Sequence, residues 1–160
     1  MLVVSDSSPL IALAQIDHLW LLERLFGRVY VPDAVWREVV TGGRPPVSEQ
    51  IPRQSWIERA AIDPQMTLEL AADEGEAQAI VLAVQMRADY LLIDERRARE
   101  IARRHGLAVI GTIGILLEAR RRNEVAEITP LLDELVAKGF RISSALYEAA
   151  RVQAGEQPAT

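Results

Sequence analysis

The sequence predicts an α/β domain with a mainly parallel central sheet. Three observations carry this reading. Short apolar runs at 2–5, 29–31, 90–93 and 107–110 have the length of buried strands. Each is followed closely by helix-start signals. Between them the apolar residues fall at helical spacing, most clearly Ala77, Ile80, Val81 and Val84. Strands that alternate with helices imply βαβ units, and right-handed crossovers then place helices on both faces of the sheet.

The elements follow in order. Residues 2–5 form the first strand. Ser8 reads as N-cap and Pro9 as first residue of a helix over 9–14, and 19–26 continues as helix. Residues 29–31 form the second strand, 32–40 a short helix closed by Gly42 and Gly43, and 44–46 a loop. Residues 56–62 read as a strand at the sheet edge. The strongest helix spans 74–86. A strand at 90–93 leads to a helix over 95–105, stopped by Gly106, then to a strand at 107–110. Helices at 112–122, about 127–138 and 143–152 complete the chain. The 160 residues suit one domain, expected over 1–153, with a frayed tail at 154–160.

Composition bounds the function. Hydrophobic residues make up 49% and charged residues 26%, enough for a normal core. The absence of cysteine excludes disulfides, zinc ribbons, thiol nucleophiles and iron–sulfur ligation, and it fits a cytoplasmic protein. The first residues, MLVVSDSSPLIALAQ, have no basic region and meet acid at Asp6, unlike a signal peptide. No apolar run approaches the roughly 20 residues of a membrane span. Net charge is −5, so a nucleic-acid partner would have to be held by local basic patches or bound cations rather than by the overall field.

In parallel sheets, sites form beyond the C-terminal strand ends. Two strands here end at an aspartate, Asp6 and Asp94, and neighbouring strands would set these side by side. Glu38, three residues after Val35, and Glu76, sharing a face with Ala79, Ile80 and Ala83, border inward helix faces and can join them. Alone, such an aspartate is often only a helix cap, and such a glutamate only complements a helix dipole. Together, four acids in one cleft repel unless protons or cations offset them. Mg²⁺ and Mn²⁺ favour such oxygen ligands, and the chemistry they support there is phosphodiester hydrolysis.

These residues lie in an ordered set of segments: Asp6-Ser7-Ser8-Pro9-Leu10-Ile11, Val31-Pro32-Asp33-Ala34-Val35-Trp36-Arg37-Glu38, Gly75-Glu76-Ala77-Gln78-Ala79-Ile80, and Leu91-Leu92-Ile93-Asp94-Glu95. Gly111-Thr112-Ile113-Gly114-Ile115-Leu116-Leu117 and Gly139-Phe140-Arg141-Ile142-Ser143 follow. The set resembles the PIN-domain nucleases. Within them it resembles the branch of predicted nucleic-acid-binding proteins related to VapC-type toxins. The resemblance implies a three-layer α/β/α sandwich with Mg²⁺ or Mn²⁺ at the rim. By motif match, Asp6, Glu38, Glu76 and Asp94 take the acidic positions, Glu95 is a further acid, and Ser7 or Ser8 supports Asp6. It also implies a metal-dependent endoribonuclease acting on RNA, the toxin half of a toxin–antitoxin pair, and a homodimer. The chain departs from the better-known toxins at Glu76, where aspartate is usual, and in its extra C-terminal helices.

Arg96, Arg97 and Arg99, with Arg103 and Arg104, crowd the helix after Asp94, and Arg120, Arg121 and Arg122 end another. They can grip RNA phosphates, or simply form solvated helix faces. Gly111 to Gly114 lacks both the P-loop and dinucleotide patterns and reads as a capped turn, with Thr112 able to touch substrate. Neither histidine has metal-ligand spacing, and Trp20, Trp36 and Trp56 read as packing residues. The apolar residues Leu131, Leu132, Leu135, Val136, Leu146 and Tyr147 suit a sheet cover or a dimer contact. A non-cleaving binding module is the alternative function. A phosphorylated receiver is a poor third, because Lys138 is the only lysine.

Overall fold

A computed structural model describes residues 1–66 and 72–156. Its sheet has five strands, β1 (Val3–Ser5), β2 (Val29–Val31), β3 (Ile57–Arg59), β4 (Tyr90–Leu92) and β5 (Val109–Ile110). All pair in parallel, in the order β3-β2-β1-β4-β5. Side chains along a strand alternate between faces, so a sheet covered on both sides needs apolar residues at every position. Val3 and Leu92 enter one core, and Val4, Leu91 and Ile93 enter the other. The helices are α1 (Ser7–Gln15), α2 (Trp20–Phe26), α3 (Asp33–Trp36), α4 (Val47–Gln50), α5 (Glu74–Met86), α6 (Arg96–Arg104), α7 (Thr112–Arg121), α8 (Thr129–Ala137) and α9 (Ser144–Gln153). Buried residues of α5 and α6 fill the second core, and those of α1, α2 and α7 lie in the first. The three-layer α/β/α arrangement is the one expected.

The strand order reverses between β1 and β4. From β1 the chain winds outward through β2 and β3, then returns to β4 and continues outward to β5. Ligand crevices of open parallel sheets form at such a switch point. Asp6 directly follows β1, and Asp94 stands two residues beyond β4.

Several boundaries differ from expectation. α1 begins at Ser7, not at Pro9, and Ser8 is not its cap. The Asp6 N–H still bonds the Leu92 carbonyl at 2.9 Å, so strand passes into helix without a loop. Pro9 then falls within the first turn, where no N–H is needed. The expected helix over 32–40 divides into α3 and a wide π-type turn at Arg37–Thr41. Such widened turns are frequent at functional sites. The chain leaves this turn so tightly that a side chain at Gly43 would collide with the Val39 carbonyl. The edge strand shortens to Ile57–Arg59, and α4 lies just beyond the expected loop at 44–46, in a stretch for which the sequence reading named no element.

The C-terminal helices pack onto the layer of α1, α2 and α7. Leu131, Leu132 and Leu135 are buried in its core, whereas Val136 and Leu146 remain exposed. Residues 154–156, at the start of the expected tail, are tied to the domain through Glu156. The Glu156 carboxylate accepts the N–H groups of Ile128 and Thr129 and the Thr129 hydroxyl, at 2.8–3.1 Å. It caps α8, which has no cap of its own. Residues 157–160 lie outside the described residues. Among the described residues no helix is long and apolar enough to cross a membrane.

Glu156→Ala is expected to lower stability by about 1–2 kcal/mol in urea unfolding, the usual worth of a lost cap that leaves two backbone N–H groups unpaired. Wild-type stability in that variant would mean that the bonds to α8 contribute nothing.

Candidate functional site

A cleft of about 600 Å³ opens at the switch point. Six carboxylates line it: Asp6, Glu38, Asp73, Glu76, Asp94 and Glu95. They arrive from four places, namely the end of β1, the π-type turn, the start of α5 and the segment after β4. α3 docks on α5, which brings the turn carrying Glu38 near the start of α5. The Gln78 side chain accepts the Ala34 N–H at 3.0 Å, and Arg37 pairs with Glu74 at 3.0 Å.

Asp6 is the most buried of the six, with 6% of its surface exposed. Burial raises its carboxyl pKa to about 7. The Ser7 N–H opposes the rise, and the charges of Asp73, Glu38 and Asp94 add to it. Glu76 rises to about 8, first by burial, then by its hydrogen bond to Asp73 and the charges of Asp73, Asp6 and Glu95. Asp73 moves the other way. The Glu76 carboxyl bonds it and holds it below its usual range, against burial, and the N–H groups of Glu76 and Gly75 add to this. Near neutral pH the cleft therefore keeps protons that exposed carboxylates would have lost.

Asp94 is fixed by neighbours. The Thr112 N–H and hydroxyl donate to it at 2.6 and 2.7 Å, and the Ser8 hydroxyl at 2.8 Å. The Ser7 hydroxyl donates to Glu38 at 2.7 Å. Early entry into α1 makes both serine contacts available. The serine hydroxyls hold Glu38 and Asp94, and Ser7 meets Asp6 through its backbone N–H. Thr112 is fully buried, so it orients Asp94 and has no surface to offer a substrate. Glu95 lines the cleft but uses both oxygens to cap α6, accepting the Arg97 and Ala98 N–H groups at 3.0 and 2.7 Å.

The donor set is one of hard oxygens. A Cβ placed on Gly75 would meet Glu38 Oε2 at 3.2 Å and the Oδ1 atoms of Asp6 and Asp73 at 3.6 Å each. Three carboxylates from three segments thus surround one small space, left open because residue 75 has no side chain. These separations exceed a magnesium–oxygen bond of about 2.1 Å. Correspondingly, among the described residues no three acids stand close enough to close on one ion as they are. The chemistry and convergence of the donors fit a divalent cation, and ligation would draw the side chains inward.

A family model described as a PIN domain matches residues 2–156. The chain belongs to the PIN-domain family. Among solved structures, a PilT N-terminus domain protein from the hyperthermophilic archaeon Sulfolobus solfataricus is similar, with a TM-score of 0.55 and 12% identity. The match covers 74% of this chain and 93% of that one, and it supports the fold. Among curated proteins none matches.

In this PIN domain, Asp6, Glu38, Glu76, Asp94 and Glu95 line one cleft, together with Ser7 and Ser8. Arg96 and Arg97 do not reach it. They are exposed on α6, with Arg96 near Glu100 at 3.8 Å. Of the three arginines proposed for nucleic acid, only Arg99 turns toward Asp94, their terminal atoms lying 3.1 and 3.0 Å from the Cβ position of Gly111. Asp73 was missed. It caps α5 by accepting the Glu76 N–H at 2.8 Å, and the spacing Asp73-x-x-Glu76 is a capping-box signal visible in the sequence. Lys138 and Arg141, on the segment between α8 and α9, also line the cleft.

Gly75→Ala separates site from scaffold. The substitution suits a helix and should leave stability unchanged or raise it by up to about 1 kcal/mol. The methyl group enters the space among Asp6, Glu38 and Asp73. Mn²⁺ affinity by calorimetry should therefore fall about tenfold or more, a weakening in line with disturbed ligand support. Unchanged affinity in a stable variant would show that this space is not where a cation binds.

Proposed function

We propose that this PIN domain is a Mg²⁺- or Mn²⁺-dependent nuclease that hydrolyses phosphodiester bonds of RNA. The observation that carries the reading is the burial of Asp6 among Glu38, Asp73 and Asp94 at the switch point of a parallel sheet. Asp6, Glu38, Glu76 and Asp94, with Asp73 beside them, would hold the ion. A divalent cation there supplies charge stabilisation for a phosphoryl oxygen and a bound water of lowered pKa. Asp94 is pre-oriented by Thr112 and Ser8, as a ligand fixed by neighbouring hydrogen bonds should be. The Asp6 carboxyl is met by the Ser7 backbone N–H and accepts no side-chain hydrogen bond among the described residues, which leaves it room to take a ligand. Asp73 and Glu76 keep a proton between them that ligation would release. Lys138 and Arg141 bring positive charge to the rim where a phosphate would approach.

The toxin role, with an antitoxin protein as partner, and a homodimeric state belong to the same proposal and rest on the family resemblance alone. A non-cleaving binding module is the second reading. It is favoured by the looseness of the acidic cradle, in which no three described acids close on one ion.

Asp94→Asn and Asp6→Asn should keep the fold by circular dichroism while lowering Mn²⁺-dependent cleavage of an RNA oligonucleotide on the order of 10²-fold or more. Cleavage at the wild-type rate by both variants, in preparations free of contaminating nuclease, would refute the assignment. A wild-type protein that binds Mn²⁺ and RNA but leaves the RNA intact would establish the non-cleaving reading.

A further inference from the structure

α9 is held to the domain differently from the helices beneath it. Ala150 is its single buried residue, whereas α1 buries six of nine residues and α7 four of ten. Leu146 and Val152 are exposed, and Tyr147 packs only partly against the core. Polar contacts do the rest. The Tyr147 hydroxyl donates to Asp133 on α8 at 2.6 Å, among the described residues the one side-chain hydrogen bond from α9 itself to another element. Just past α9, Glu156 accepts the Ile128 and Thr129 N–H groups at the start of α8, and Arg120 stands 3.9 Å from it. At the other end, the Gly139 and Phe140 N–H groups bond the Val136 and Leu135 carbonyls at 3.0 and 2.9 Å, with Gly139 in the left-handed region. That turn closes α8 and moves with it. Between it and α9 stand Arg141, Ile142 and Ser143, none of which donates a backbone N–H bond among the described residues. Phe140 and Arg141 line the acidic cleft. With Leu146 they also line a second cleft of about 730 Å³, which Asp94 shares.

We infer that α9 with the residues through Glu156 is a latched strap, which swings off as a unit about residues 141–143 while the rest of the domain stays folded, and that Glu156 is its latch. A segment opens below the free energy of global unfolding when it buries little apolar surface and its holding contacts lie near solvent. α9 meets both conditions. α7 beside it does not, because Ile115, Leu116 and Ala119 are buried in the core. The latch also spans the fold, since the Glu156 carboxylate sits on a residue 28 positions earlier in the chain. Breaking it therefore releases the far end of α9, and the unbonded 141–143 segment supplies the hinge at the near end. Opening carries Leu146 away from the second cleft, which removes part of its wall and widens the approach to Asp94. The inference stands on packing and hydrogen bonding and is independent of what the acidic cleft binds.

The chain has no cysteine, so a single introduced thiol reports alone. The test places one in the full chain at Ala150, buried on α9, or at Ala119, buried on α7, and follows its reaction with an aromatic disulfide reagent in zero to low urea. Each variant is melted to confirm folding. Reaction requires an exposed thiolate. Ala150→Cys should react at least about tenfold faster than Ala119→Cys, because the strap opens without the core. Its rate should change little in low urea, whereas that of Ala119→Cys should rise steeply, as exposure through global unfolding demands. Adding Glu156→Ala should speed the reaction of Ala150→Cys about 5-fold to 30-fold, the factor that goes with the loss of such a cap. Hydrogen exchange of the unsubstituted chain reads the same opening without a thiol. The amides from Tyr147 to Ala154 should share one opening constant, with a weak urea dependence. Equal reaction rates and urea dependences at the two sites would mean that α9 opens only when the whole domain unfolds. An unchanged rate on Glu156→Ala would mean that Glu156 latches nothing. Exchange graded along α9, fastest next to Glu156, would mean fraying rather than a hinged unit. Each of these results would overturn the inference.

Discussion

The burial of one carboxyl, that of Asp6, constrains the rest of the structure. A lone buried carboxylate is costly, and burial beside other acids is costlier. The fold enforces it nonetheless, because the Asp6 N–H continues the β1–β4 ladder and the chain turns straight into α1. The surroundings answer in two ways. Asp6 and Glu76 hold protons near neutral pH, and Ser7, Ser8 and Thr112 supply hydroxyls to Glu38 and Asp94. Both arrangements ease the repulsion among carboxyls held in one small space, and under the proposed function the protons would give way to a cation. Stability alone gives no reason to gather them, since well-packed apolar residues would fill the same volume at less cost.

Much of this was legible in the sequence. The alternation of apolar runs and amphipathic helices pointed to the parallel sheet, and the two aspartates after strands marked the rim at which the acids meet. What escaped was tertiary. Ser8 and Pro9 look like a helix start by local rules, yet the ladder bond from Asp6 to Leu92 moves that start to Ser7. Asp73 lies within a run of acids, Asp73-Glu74-Gly75-Glu76, and only its capping of α5 picks it out as a cleft residue. Thr112, next to a turn, looked accessible; its side chain is enclosed because it serves Asp94 across the sheet. Arg96, Arg97 and Arg99 are adjacent in sequence, but helical rotation sends the first two to solvent and the third to the rim. Glu156 looked like tail, since nothing local marks a carboxylate that caps a helix starting 27 residues earlier.

Charge ties the two clefts together. Acids crowd the rim at the switch point, whereas the neighbouring cleft is lined by Arg99, Arg121, Arg122 and Arg141, of which Arg121 and Arg122 pair with Glu118. Phe140 and Arg141 sit where the two environments meet, on a segment contributed by the helices that extend the chain beyond its last strand. The C-terminal extension therefore does more than cover the core. It builds one wall of the acidic cleft and one wall of its neighbour.

The most direct measurement is calorimetric titration of Mn²⁺ into the full chain at about pH 6.5, repeated in buffers of different ionisation enthalpy. Carboxyls titrating near 7 and 8 are largely protonated there and must give up their protons to ligate. The account predicts binding with release of between about one and two protons, reduced in Asp6→Asn along with the affinity. Failure to bind, or binding without proton release that Asp6→Asn leaves unchanged, would contradict the view that these acids are held together for a cation.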